Sequence, residues 1–77
     1  MALKSPNTIQ APRAIYVDQL SDGTAYIGIA KPGASGASAI WQIRKLVNSG
    51  TVTQILWADG NEKFDNVWNN RTSLSYS

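Results

Sequence analysis

The chain has no cysteine and no histidine. Without cysteine there is no disulfide framework and no thiolate metal site. Without histidine the commonest general base, most zinc sites and the switch that titrates near neutral pH are missing too. Charge is scarce as well: Lys, Arg, Asp and Glu make up 16% of the 77 residues, and the formal net charge is +2. A soluble globular domain has about a quarter of its residues charged. The basic residues Lys4, Arg13, Lys31, Arg44, Lys45, Lys63 and Arg71 are spread out rather than clustered, a weak electrostatic footprint for a nucleic-acid binder. No apolar run approaches the ~20 residues of a membrane helix. The N-terminus lacks the apolar core of a signal peptide. A soluble chain that is not exported by that route is expected, with no membrane partner.

What is present is a hydrophobic fraction of 43%, rich in β-branched and aromatic residues, with many small polar residues between them. The length allows one small domain, which buries only about 60% of the surface its unfolded chain exposes. With no disulfide or metal as a staple, such a domain is expected to lean on neighbouring chains.

The centre of the chain reads as a β-hairpin, Ile40–Val47 and Thr51–Ala58 around Asn48-Ser49-Gly50. A three-residue loop ending in a left-handed glycine would set Trp41 opposite Trp57 and Ile43 opposite Ile55, with Arg44 and Gln54 on the other face. A two-residue turn at Ser49-Gly50 would instead put Trp57 beside Gln42. The first register is expected because it keeps apolar residues together. Arg13–Leu20 and Thr24–Ala30 form a second hairpin signal around Ser21-Asp22-Gly23. The same logic pairs Val17 with Ile27 and Ile15 with Ile29 on an apolar face, and Asp18 with Tyr26 and Tyr16 with Gly28 on the other. Two hairpins with one apolar face each can close a core against each other.

Outside the hairpins, residues 1–12 carry Pro6 and Pro12 and no helical period. They read as an extended arm, with Leu3 and Ile9 as candidate anchors on a neighbouring subunit. Between the hairpins, Lys31–Ser38 is a connector of small residues; it echoes a phosphate-binding loop, but Ala34 stands where the lysine is needed. Phe64, Val67, Trp68 and Arg71 fall at helical spacing, so a short helix with Asn61 as N-cap is expected after Gly60. Thr72–Tyr76 alternates as a last strand. The expected fold is therefore mainly β: a small antiparallel sheet or barrel-like sandwich of two hairpins, plus a short helix and a C-terminal strand. It forms a single domain over residues 13–77. Trp41, Trp57, Phe64 and Trp68 are its candidate core or interface aromatics.

The chemistry of a catalyst is not evident. Asp18, Asp22, Asp59, Glu62 and Asp65 are the only acids, and no two are spaced as a general acid and base. The serines lack an activating partner. Asp59, Asn61 and Asp65 faintly resemble a calcium loop but with the glycine misplaced and no bidentate glutamate. Asn70-Arg71-Thr72 fits a glycosylation sequon, which matters only in a secreted eukaryotic chain. No catalytic residue, cofactor, metal or small-molecule ligand is expected, and the protein is not expected to be an enzyme.

The runs Tyr26-Ile-Gly, Ala39-Ile-Trp-Gln-Ile-Arg-Lys, Ile55-Leu-Trp-Ala-Asp-Gly60, Phe64-Asp-Asn-Val-Trp-Asn-Asn-Arg71 and Ser73-Leu-Ser-Tyr76 resemble a group of small structural proteins of tailed bacteriophages. The likeness covers about residues 25–77 and carries no catalytic motif. It implies a multi-copy virion protein of the tail, neck or fibre-attachment region, packed against its own copies and other virion proteins and assembled in the host cytoplasm. A head decoration protein is the alternative within that class. From another class, a small β-barrel module that binds single-stranded nucleic acid remains the competing expectation, with the aromatics as a stacking platform.

Overall fold

The computed structural model describes residues 12–77, and the proposed anchors Leu3 and Ile9 lie outside the described residues. Four strands form one antiparallel sheet in the order β1 (Ala14–Gln19), β2 (Ala25–Ala30), β3 (Ala39–Ser49) and β4 (Val52–Trp57). A two-residue strand, β5 (Asn66–Val67), pairs with the start of β3 and leads into a 3-10 helix, Trp68–Ser73. The mainly-β expectation holds. The sheet is open, however, and the two hairpins stand side by side within it rather than closing against each other.

The first hairpin has the expected register, with Val17 opposite Ile27 and Ile15 opposite Ile29. Its loop ends on Gly23 at φ +93°, the left-handed position that glycine adopts without a Cβ clash. The Asp22 carboxylate accepts the Thr24 N–H at 2.9 Å and closes the loop. That bond holds the Asp22 carboxyl below the usual carboxylate range.

The central hairpin is different. Ser49 pairs with Val52, so the turn is the two residues Gly50-Thr51, with Gly50 at φ +63° in the first position. Trp57 therefore sits opposite Arg44, and Ile55 opposite Leu46, rather than opposite Trp41 and Ile43. Neither expected register forms. A glycine-first two-residue turn matches the right-handed twist of the strands. Asn48 adds a lock: its amide oxygen accepts the Thr53 hydroxyl at 2.7 Å, and its amide nitrogen donates to Gly23 O at 3.2 Å. An odd offset in pairing moves a whole strand to the other face. Trp57 and Ile55 are thereby separated from Trp41 and Ile43.

The core lies on one side of the sheet only. Tyr26, Ala30, Trp41, Ile43 and Ala58 are buried there, under Trp68 from the 3-10 helix, with Leu74 and Tyr76 packed alongside. Gly28 makes this possible: a Cβ at that position would come within 2.7 Å of Trp68 Cζ3 and 3.0 Å of Trp41 Cε3. The Trp68 ring thus rests on the bare backbone of β2. Trp41 donates its indole N–H to Ser35 O at 2.9 Å, which satisfies its one polar atom and anchors the connector between the hairpins. Tyr16 completes the cluster, its ring 4.5 Å from Trp41 and 5.6 Å from Trp68.

The expected helix from Asn61 onward does not form. The Asn61 side chain instead accepts the Lys63 N–H at 2.9 Å in a local turn, an arrangement that competes with helix initiation. Asn66 is buried and extended beside Trp41. The 3-10 helix then begins at Trp68, so Phe64 does not share its face and is exposed, with Arg13 over its ring at 5.6 Å. Nor do residues Thr72–Tyr76 form a strand: Tyr76 makes a single bridge to Ala58. Arg71 secures this segment to the sheet through an ion pair from Nε to Asp18 Oδ2 at 3.0 Å.

Candidate interaction surface

The side of the sheet opposite the core carries Ile15 and Val17 from β1, Ile27 and Ile29 from β2, Leu46 from β3, and Ile55 and Trp57 from β4. These residues share a face because strand side chains alternate and the registers align them: Val17, Ile27, Arg44 and Trp57 form one row, and Ala25, Leu46 and Ile55 the next. Ile15 is 60% exposed, Val17 61% and Ile55 53%. The four residues expected to close the core from the first hairpin, Ile15, Val17, Ile27 and Ile29, thus face away from it. Their alternation marked a real apolar face, but the core formed on the other one. There small residues (Gly28, opposite Tyr16, and Ala30, opposite Ala14) alternate with Tyr26 along β2 and leave a bed wide enough for two indoles. That mixture of large aromatic and minimal side chains is the signal that could have identified the buried side.

One cation interrupts the band. The Arg44 guanidinium lies 4.8 Å from the Trp57 ring centroid, within the range of a cation–π contact. Its Nη2 donates to Gln42 Oε1 at 3.2 Å, and Gln42 in turn donates to Glu62 O at 2.9 Å. The Arg44 Nε is shielded from solvent and finds no acceptor among the described residues. The face therefore offers aliphatic contact with a single, partly unsatisfied positive group at its centre. Sequence reasoning missed Arg44 here because the expected register placed it away from Trp57.

The expected aromatics separate into two sets. Trp41 and Trp68 are brought together in the core, with ring centroids 5.9 Å apart. Trp57 lies half-buried on the open face, and Phe64 sits on the loop before β5. Two further cations lie over rings: Lys45 Nζ is 5.7 Å from both Tyr26 and Tyr76, and the Arg71 guanidinium 4.6 Å from Trp68. Among the described residues no three His, Cys, Asp or Glu side chains group together, and no helix is long and apolar enough to cross a membrane. Comparisons with protein-family models, curated proteins and solved structures found no match.

Proposed function

We propose that this protein is a non-enzymatic structural subunit of a tailed-bacteriophage particle, present in many copies in the tail, neck or fibre-attachment region and acting through packing against other virion proteins. The observation that carries the reading is the open sheet face, where Ile15, Val17 and Ile55 are each more than half exposed. Secondary-structure layers are stable when each apolar face is covered, and large exposed apolar patches mark sites of association. The resemblance to small phage structural proteins supplies the particle; the face supplies the means of attachment. A head decoration role uses the same face, and copy number per particle separates the two.

A second reading has one specific observation behind it. Arg44 stacked on Trp57 at 4.8 Å, on an open sheet, is the kind of pair that holds an unpaired base. Its neighbours are aliphatic, though, and a strand-binding groove needs several cations along the backbone.

The test replaces Val17 and Ile55 together by serine. Both are exposed, so the folded chain should keep its stability to within about 1 kcal/mol for the pair. Incorporation into purified particles of the encoding virus, counted by mass spectrometry, should fall by about tenfold or more. Unchanged incorporation would sink the packing reading. Oligonucleotide binding that weakens steeply between low and moderate salt would put the nucleic-acid reading in its place.

A further inference from the structure

The sheet has two edges, and they are not alike. On the β4 side, Ser77 and Trp57 exchange backbone hydrogen bonds at 3.0 and 3.1 Å, and Asp59 N–H donates to Ser75 O at 2.8 Å. The C-terminal residues thus cover one end of that edge. On the β1 side no described residue pairs with the outer edge of Ala14–Gln19.

The direction of its backbone groups follows from the hairpin. Leu20 N–H donates to Thr24 O at 2.8 Å, which makes Leu20 and Thr24 a hydrogen-bonded pair. Alternation along an antiparallel ladder then directs the backbone groups of Asp18, Tyr16 and Ala14 to β2. Those of Ile15, Val17 and Gln19 point outward. Natural sheets blunt such an edge with lysine, proline, a bulge or a very short strand. β1 has six residues, regular pairing throughout and neither lysine nor proline. Its one charge, Asp18, is turned to the core side and held by Arg71.

We infer that β1 is the pairing edge for a second copy of this chain, joined antiparallel about a two-fold axis so that two four-stranded sheets become one. Outward residues must meet outward residues, which restricts the register. Centring the axis on Tyr16 sets Ile15 beside the second copy's Val17, and the reverse, so the apolar band runs unbroken across the junction. Ala14 then faces Asp18 and Arg13 faces Gln19, and no like charges oppose one another. Each outward pair exchanges two backbone hydrogen bonds, so the overlap adds about four from the Ile15–Val17 pairs and up to about four more from the Arg13–Gln19 pairs. A face-to-face dimer is the competing use of a second copy. It would bury Arg44 from both chains on a face whose strand residues include no carboxylate, which is costly. Edge pairing leaves Arg44 free. It is also independent of what the open face binds.

Sedimentation equilibrium of the full chain tests this. A reversible dimer is expected. Val17→Pro removes an outward N–H but no bond to β2, and should weaken the dimer by about tenfold or more. Because proline can disturb the strand itself, Ile15→Lys is the second variant; it keeps the backbone intact and supplies the edge charge that natural sheets use. It should weaken the dimer likewise, with an unchanged circular dichroism spectrum. Ile55→Lys, on the open face but far from β1, should leave the dimer unaffected. The chain has no cysteine, so mixing Ile15→Cys with Val17→Cys chains under mild oxidation should give the mixed disulfide ahead of either like pair. A chain that stays monomeric to about 1 mM overturns the inference. So does open-ended polymerisation, or a dimer lost with Ile55→Lys and kept with Val17→Pro. A monomeric result leaves the open-face packing test standing, since that test reads incorporation into particles rather than self-association.

Discussion

Gly28 decides which side of the sheet becomes the core. Its missing Cβ lets Trp68 lie against β2, and the space above it is closed by Trp41 and Tyr16. Gly28→Ala forces a methyl group into the Trp68 ring, and well-packed interiors yield little. It should lower the unfolding free energy by about 1–3 kcal/mol, the usual cost of overpacking, as read by urea denaturation. An unchanged denaturation midpoint would mean that the indole moves aside freely and that the close approach is incidental. At this scale the sequence was partly legible. Trp41 and Trp68 could be picked out as large apolar groups in need of cover. The role of Gly28 could not, because what makes it matter is a ring forty residues away in the chain.

Among the elements, the two hairpin loops look alike in sequence, Leu20-Ser-Asp-Gly-Thr24 and Val47-Asn-Ser-Gly-Thr51, and fold differently. Asp22 holds the first as a three-residue loop through its bond to Thr24 N–H. Ser49 occupies the matching place in the second, where the strand runs on and the Asn48–Thr53 bond fixes a tighter turn. Local grammar therefore located both hairpins but set the register of only one. The C-terminal segment was harder still: its helical spacing was overruled by the Asn61 turn and by backbone pairing with β3. That segment is fastened by Tyr76, whose hydroxyl donates to Arg71 O at 2.7 Å. Burial, reinforced by the nearby Tyr26 and partly opposed by Arg71, pushes its pKa from the ordinary 10.0 up to about 12. The folded chain thus keeps this proton where the unfolded chain has lost it. The contribution is whole below pH 10.0 and disappears as the pH climbs toward about 12. Thermal melts should show stability falling across that window, with a shallower fall in Tyr76→Phe. Equal slopes in both proteins would remove Tyr76 as the cause.

For the molecule as a whole, the sequence disclosed the class of fold, yet not the one-sided arrangement of the sheet. The reason is parity. Alternation shows that a strand has two unlike faces, but only the pairing of neighbouring strands decides which faces coincide. Residues 12–77 therefore resolve into a layer with a sealed side, where the C-terminal segment spans the strands, and an unsealed one. This division has a spectroscopic corollary. Of the three tryptophans, Trp41 and Trp68 are sealed in, while Trp57 sits on the unsealed side under a guanidinium. Its emission should be quenched by iodide, an anion drawn to Arg44, more strongly than by caesium, and the quenched fraction should shift to the red. Any molecule that settles on the face must then protect that fraction and move it to the blue. Equal quenching by the two ions would show that Arg44 does not guard the indole. The protein thereby carries its own optical gauge of whether the open side is occupied, with no label added.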